Sequence, residues 1–282
     1  MTGLIFGASG MVGAYIAREF AKSGQAAFCV SRDARPGWVR ADLTQLDVVK
    51  IPRAEIVFCA TNARTFAQAL PAVLRAKPRR VVVISSTSVF TKTDSTDDEE
   101  RRSILELIYA EKQISNLCSK AAVEWTILRP TLIYREGRDR NITQIARIIR
   151  RLRWMPLYGG AKGLRQPVHA EDLARGAIAA ARSPSAANRA YCTTGLETLS
   201  YREMVGRVFD ALAIPRRLVS LPPVLWKTAF SLARPLYPGV TSVMGERMIK
   251  DLAFDSSAAI SDFGWQARRF EPAFDEWRDQ LK

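Results

Sequence analysis

Five short apolar runs, almost unbroken by polar residues, constrain how this chain can fold. They are "GLIFGAS", "AAFCVS", "EIVFCA", "RVVVISS" and "EWTILRP". A strand with one wet face alternates apolar and polar residues. Consecutive apolar residues instead mark a strand covered on both faces, the situation in a parallel sheet sandwiched between helices. Amphipathic stretches separate the runs, and this βαβ alternation predicts an α/β fold built on a doubly wound parallel sheet. "RAYCTTG", after the helical stretch "EDLARGAIAAARS", adds a further strand. A chain of 282 residues, 48% hydrophobic, is long enough for one large domain and a smaller partner. Glycine and proline are scattered, and no internal repeat is visible.

The first apolar run leads into "LIFGASGMVGAYIAREF", which places Gly7, Gly10 and Gly13 between a strand and a helix. A phosphate at a helix N-terminus needs bare main-chain N–H groups and no side chain in the way. Gly7 lets the chain turn, Gly10 lets the backbone approach a pyrophosphate, and Gly13 lets helix pack on strand. Ser9, Met11 and Val12 complete the loop. A tight turn alone needs one glycine, so three at this spacing inside a βαβ unit predict dinucleotide binding in a Rossmann-type domain.

The second strand ends "FCVSRDARPG". An NAD site usually keeps a carboxylate there for the ribose hydroxyls, whereas an NADP site offers arginine to the 2′-phosphate. Ser31 stands in the carboxylate position and Arg32 follows, which favours NADP(H) over NAD(H). The alternative is a solvated Arg32, with Asp33 taking the ribose. Asp42, followed by Leu43 in "ADLTQ", either accepts from the adenine amine or caps the next turn. Ala60, ending "EIVFCA", and Thr61 after it are expected beside the same cofactor.

After Thr131 the pattern becomes irregular. "NITQIARIIRRLRWMPL" reads as a basic amphipathic helix, and "LSYREMVGRVFDALA" opens with a capping box of Ser200 and Glu203. "PPVLWKTAFSLARPLYPG", "TSVMGERMIKDL" and "DSSAAISDFGW" follow. The expected organisation is a dinucleotide-binding domain over residues 1–195 and a smaller, mostly helical C-terminal substrate domain over 196–282. Residues 134–167 are expected to contribute to the substrate cleft, at the carboxyl edge of the sheet.

Forty-two basic and 28 acidic residues leave a net charge of +14. That field favours anionic partners. Signatures of nucleic-acid recognition, such as zinc-ligand spacings or an aromatic ribonucleoprotein strand, are absent from the sequence. Cys29, Cys59, Cys118 and Cys192 show no metal-ligand spacing and His169 is the single histidine, so no metal site is expected. Reduced cysteines, an N-terminus that enters a strand directly and the absence of a bilayer-length apolar run predict a cytoplasmic protein.

Four motifs in order, "GASGMVG", "VVVISSTSVF", "ILRPTLIY" and "LRQPVHAEDLA", resemble those of the extended or atypical short-chain dehydrogenases/reductases, the superfamily of nucleotide-sugar epimerases and dehydratases. The resemblance spans about Leu4 to Ala181 and, more loosely, "FDSSAAISDFGW". It implies hydride transfer between nicotinamide and a sugar carbon, with a tyrosine moving the hydroxyl proton beside a lysine. Ser86 matches the hydroxyl residue after the fifth strand, with Ser85 and Thr87 as neighbours, Thr87 toward the substrate. Pro130 and Thr131 match the loop beside the nicotinamide carboxamide. Arg165 matches an arginine on the substrate diphosphate, and Arg247 is a second candidate contact. His169 and Asp172 read as structural, Asp172 capping the following helix. The superfamily also implies a homodimer through helices flanking the sheet.

The proton-transfer pair is displaced. In "LELIYAEKQ", Tyr109 and Lys112 lie three residues apart, and the position four before Lys112 is Ile108. Three steps of a helix leave two side chains about 60° apart and four leave them about 40° apart. Tyr109 with Lys112 is therefore either an altered active site or a solvated helix face, with Tyr134 a distant substitute for the tyrosine. Two functions remain open: an NADP(H)-dependent reductase, epimerase or dehydratase on a nucleotide-linked sugar, and a non-catalytic NADP(H)-binding sensor or assembly protein. A weak peripheral membrane contact through Arg147, Arg150, Arg151, Arg153 and "VLWKTAFSLARPLY" is a further expectation.

Overall fold

The computed structural model describes residues 1–45, 51–91, 93, 97–222, 224, 226 and 242–275. The expected helix "PPVLWKTAFSLARPLYPG" therefore falls mostly outside the described residues. Thirteen strands are described: β1 Gly3–Phe6, β2 Ala27–Ser31, β3 Val39–Arg40, β4 Ile56–Cys59, β5 Arg80–Ile84, β6 Glu124–Pro130, β7 Ile133–Tyr134, β8 Met155–Tyr158, β9 Leu164–Arg165, β10 Val168–His169, β11 Arg189–Thr193, β12 Leu199–Ser200 and β13 Leu218–Leu221. The α-helices are α1 Met11–Lys22, α2 Ala63–Leu74, α3 Asp98–Lys120, α4 Ile142–Leu152, α5 Ala170–Arg182, α6 Tyr201–Ala211, α7 Ser242–Arg247 and α8 Ser257–Phe263.

The six runs expected as strands form β1, β2, β4, β5, β6 and β11, and β3 joins them in a sheet ordered β11-β6-β5-β4-β1-β2-β3. Every pair in it is parallel. Burial explains the legibility: all four residues of β1 and of β4 are buried, so no polar residue interrupts them. Val81 and Val83 pack with Phe66 and Leu70 of α2 and Ile114 and Cys118 of α3 in one core cluster. The strand order reverses between β1 and β4, which makes their carboxyl ends the switch point where a doubly wound sheet takes its ligand.

The chain divides into two compact units. The first comprises Met1–Thr131, Ala170–Thr193 and Phe254–Ala267, and the second Leu132–His169, Thr194–Ala253 and Arg268–Lys282. This differs from a single cut after Gly195, because the segment around α8 returns to the sheet unit. Trp265 lies where a Cβ on Gly176 of α5 would come within 2.3 Å of its ring. Asp262 accepts from Arg189 Nη1 at 2.5 Å and from Tyr191 Oη at 2.6 Å, and its carbonyl accepts from Ser183 Oγ at 2.6 Å. These contacts are far apart in sequence, which is why a linear reading of patterns misses them.

Inside the second unit, "NITQIARIIRRLRWMPL" is not one helix. Arg153 ends α4 in the left-handed region, at φ 64°, and Met155–Tyr158 then pairs as a strand with β13. The capping box is half formed. Ser200 Oγ accepts from Glu203 N at 3.1 Å, but Glu203 turns its carboxylate to Arg207 and Arg216 instead of reaching back. The core of the unit gathers Tyr134, Ile145, Ile149, Leu157, Val208, Phe209 and Phe270. No described helix is long and apolar enough to cross a membrane.

Arg80 is the largest wholly buried side chain of the sheet unit. It ties β5 to the end of α5, donating through Nη1 to the carbonyls of Ala180 at 2.5 Å and Ser183 at 2.6 Å, and through Nε to Glu124 at 2.8 Å. The guanidinium thus satisfies main-chain acceptors that the helix leaves open. Replacing Arg80 by alanine strands those acceptors and is expected to cost about 3 kcal/mol or more of unfolding free energy. Urea denaturation checks this, and a midpoint equal to that of the unaltered chain contradicts it.

Candidate functional site

The first unit presents the glycine loop at the switch point. Gly7 has φ +80°, and a Cβ there would lie 2.5 Å from the carbonyl oxygen of Ala60, which follows β4. A Cβ on Gly13 would lie 2.2 Å from the carbonyl oxygen of Gly7, so nothing larger lets α1 approach the end of β1 so closely. Gly10 N donates to Gly7 O at 2.9 Å and caps α1 without a side chain. The first turn of α1 holds no acidic residue. Among the described residues no side-chain cap bonds its N–H groups, which is the environment an anionic diphosphate requires. The loop therefore fits a nicotinamide dinucleotide, with Ser9 exposed beside it and Val12 buried beneath.

At the end of β2, Ser31 is 9% exposed and its Oγ accepts from Asp33 N at 3.1 Å. Arg32 and Asp33 are both exposed. Asp42 caps the turn Leu43–Gln45, accepting through Oδ1 from Thr44 N at 2.9 Å and Thr44 Oγ1 at 2.8 Å. Those hydrogen bonds, followed by the charge of Arg32, hold its carboxyl below the ordinary aspartate value. Asp42 thus caps this turn, with Arg32 close enough to act on its charge. Ala60 N donates to Phe6 O at 2.9 Å, fixing the start of the Ala60–Thr61 loop against β1.

Beyond β5, Ser86 Oγ caps the turn Thr87–Phe90, accepting from Ser88 N at 3.1 Å and bonding Ser88 Oγ at 2.9 Å. Thr87 is buried, and its hydroxyl donates to the carbonyl of Pro130 at 3.1 Å. That hydroxyl joins the segments that follow β5 and end β6. Thr131 N donates to Thr193 O at 3.3 Å, extending the β6–β11 pairing.

Around the displaced pair, helix α3 turns Glu111 inward. Tyr109 is 68% exposed and Lys112 is exposed, while Glu111 between them is 5% exposed. Glu111 stands about 200° around the helix from Tyr109. Its carboxylate accepts from Ser85 Oγ, from Arg129 Nη2 at 2.6 Å and from Arg129 Nε at 3.1 Å. The guanidinium of Arg129 also lies over the ring of Phe90, 5.0 Å from its centroid. Ile108, in the usual tyrosine position, is half-buried. Glu111 is therefore the α3 carboxylate that joins Ser85, just after β5, to Arg129 of β6, and Tyr109 projects outward on the side of Leu105. Sequence reading passes over Ser85, Glu111 and Arg129 as a group. The available signal was a carboxylate on an otherwise apolar helix stripe, four residues after Leu107 and three before Ile114, needing a buried cation.

In the second unit, Arg165 is 4% exposed. Its Nη1 donates to the carbonyls of Leu164 at 2.7 Å and Lys250 at 2.8 Å, and its Nη2 to that of Arg247. Its guanidinium also lies over the Tyr201 ring, 5.4 Å from the centroid. Burial lowers its affinity for the proton, with Tyr201 and Asp251 opposing. Arg165 thus clamps the chain around α7 through three main-chain carbonyls. Arg247 is half-exposed. His169 is buried, its Nε2 3.5 Å from Glu136 and its ring edge-on to Tyr134, as a structural residue would be. Asp172 is buried within the first turn of α5 and pairs with Arg175.

The thiols of Cys59 and Cys118 are pushed up to about 12 by burial, so neither is a thiolate at neutral pH. No cluster of three metal-ligating side chains occurs among the described residues.

A model of the NAD-dependent epimerase/dehydratase family matches residues 53–192. A UDP-glucose 4-epimerase of Vibrio cholerae is 26% identical over 157 residues, covering 56% of this chain and 46% of that protein. The match thus spans about half the length of the curated relative. Among solved structures, MoeE5 in complex with UDP-glucose and NAD superposes with a TM-score of 0.72 at 20% identity, covering 100% of both chains. The UDP-glucose 4-epimerase of Thermotoga maritima with UDP-glucose superposes at 0.74 and 12% identity over 100% of both chains. An epimerase of Methanothermobacter thermautotrophicus gives 0.76 at 14%, covering 99% of this chain and 92% of that one. At these identities the structural likeness concerns the fold. The family match over residues 53–192, the glycine loop and the parallel sheet together make this chain similar to the extended short-chain dehydrogenases/reductases.

Proposed function

We propose that this protein is an NADP(H)-dependent oxidoreductase or epimerase acting by hydride transfer on a nucleotide-linked sugar. The observation that carries the reading is the uncapped start of α1 above three glycines, at the point where the strand order reverses. A dinucleotide held there by its pyrophosphate would supply a nicotinamide able to give or take hydride. Residues of the loop from Gly7 to Gly13 hold the pyrophosphate, with Ala60, Thr61, Pro130 and Thr131 along the remainder of the cofactor. Arg32 takes the 2′-phosphate, since Ser31 leaves no carboxylate to repel it. The UDP-sugars bound by MoeE5 and the Thermotoga enzyme support the substrate class. Arg165 and Arg247, joined by the hydrogen bond from the Arg165 guanidinium to the Arg247 carbonyl, are the proposed phosphate contacts.

The exposed ammonium of Lys112 and the hydroxyl of Ser86 are the groups assigned to the proton and to the sugar oxygen. The buried Glu111–Arg129 pair holds α3 against β5 and β6 and so fixes where Lys112 emerges. A second reading is a protein that holds NADP(H) without turnover, as a sensor or assembly subunit. The outward face of Tyr109 favours it, because no phenol then stands in the usual tyrosine position.

Two outcomes are expected. Arg32→Glu should weaken NADPH binding at least about tenfold and leave NADH within about threefold, read by nucleotide fluorescence. Equal losses for both nucleotides contradict the assignment of the 2′-phosphate. Lys112→Ala should lower turnover of a UDP-4-keto-sugar with NADPH at least about a hundredfold, with Tyr109→Phe within about twofold of the unaltered chain. A large loss in Tyr109→Phe restores the tyrosine to the mechanism. If the unaltered chain shows no turnover while binding NADPH, the second reading holds.

A further inference from the structure

We propose that the end of α4 and the outward side of the β8–β13 ribbon form a docking surface for anionic phospholipid headgroups. The positive charge of this chain is not evenly spread. Residues 132–169, 194–253 and 268–282, which make up the second unit, hold 21 of the 42 basic residues and 11 of the 28 acidic ones, a net of +10 out of +14. From Arg140 to Lys162 there are six basic residues and no acidic one.

The fold turns part of this run to one side together with apolar groups. Helix α4 buries Ile142, Ile145, Ala146 and Ile149, which leaves Arg147 and Arg151, four apart, exposed. Arg153 occupies the left-handed position that closes the helix, where glycine is the usual residue, and it too is exposed. The chain then enters β8, where Met155 and Leu157 point inward, so alternation turns Trp154 and Pro156 outward. Met155 N donates to Arg217 O at 2.9 Å, and Val219 pairs with Pro156, which brings Arg217 and Val219 to the same side. Trp154 is 37% and Val219 44% exposed.

Cations near a helix C-terminus are favoured by its dipole, which accounts for Arg151 and Arg153 on any soluble helix. It does not account for an outward indole and valine among them. Guanidinium groups for phosphate, with an indole at headgroup depth and an aliphatic side chain beside it, are the combination an anionic bilayer surface selects. A nucleic-acid backbone would use the arginines but offers no apolar layer for Val219.

Co-sedimentation of the full chain with phosphatidylcholine vesicles, with or without about one-third phosphatidylglycerol, tests this. The chain should pellet only with the anionic vesicles and be released at high salt. Arg151→Glu with Arg153→Glu should weaken binding at least about tenfold, and Trp154→Ala about threefold or more. The same charge change at Arg18 and Arg75, exposed in the first unit, should leave it within about twofold. Failure to pellet, equal losses in the two charge-reversed variants, or tighter binding to duplex DNA than to vesicles at the same salt overturns the proposal. NADPH binding is measured on every variant, so loss of folding is seen separately.

Discussion

The close approach of α1 to the end of β1 is the constraint on which the candidate site depends. A side chain at Gly13 would collide with the carbonyl of Gly7 at 2.2 Å, and one at Gly7 with that of Ala60 at 2.5 Å. Remove either glycine and the helix start must retreat from the sheet. Its free N–H groups would then no longer converge on the switch point. Three bare positions thus set the geometry, and the flanking strands β1 and β4, buried along their whole length, make that geometry rigid. The site needs little else from the sequence to attract a diphosphate, because the main chain itself supplies the donors.

A second, independent lock operates on the other side of the switch point. Glu111 and Arg129 form an ion pair in which the carboxylate is almost wholly buried, with Ser85 as a third partner. Such a pair is a weak source of net stability, because desolvation offsets much of the attraction, but it is a strong source of register. It permits only one rotation of α3 about its axis. That rotation sends Tyr109 outward, and with it the usual means of proton transfer in this superfamily. Lys112 emerges beside Ile108 instead of a phenol. The chemistry proposed here therefore leans on lysine and serine, and the same feature favours the binding-only reading.

The sheet was legible because burial on both faces leaves an unmistakable mark, as in "LIF" and "VVVI". The glycine loop was legible because its physical requirement is local. What escaped a linear reading was long-range. The clamp of Arg165 on the carbonyls of Leu164, Arg247 and Lys250 joins segments more than eighty residues apart. The same holds for the return of Asp262 and Trp265 to the sheet unit. In each case the partner lies on main chain or core far away in sequence. The strand after α4 was missed for another reason: the helical period of "NITQIARIIRRL" runs on smoothly, and only the left-handed turn at Arg153 interrupts it.

A crystal structure of the chain grown with NADPH would reveal where the dinucleotide sits. Pyrophosphate oxygens are expected within hydrogen-bond reach of the main-chain nitrogens between Gly10 and Gly13, and the 2′-phosphate beside the Arg32 guanidinium. A dinucleotide seated elsewhere, or crystals that admit none at saturating concentration, would contradict this placement.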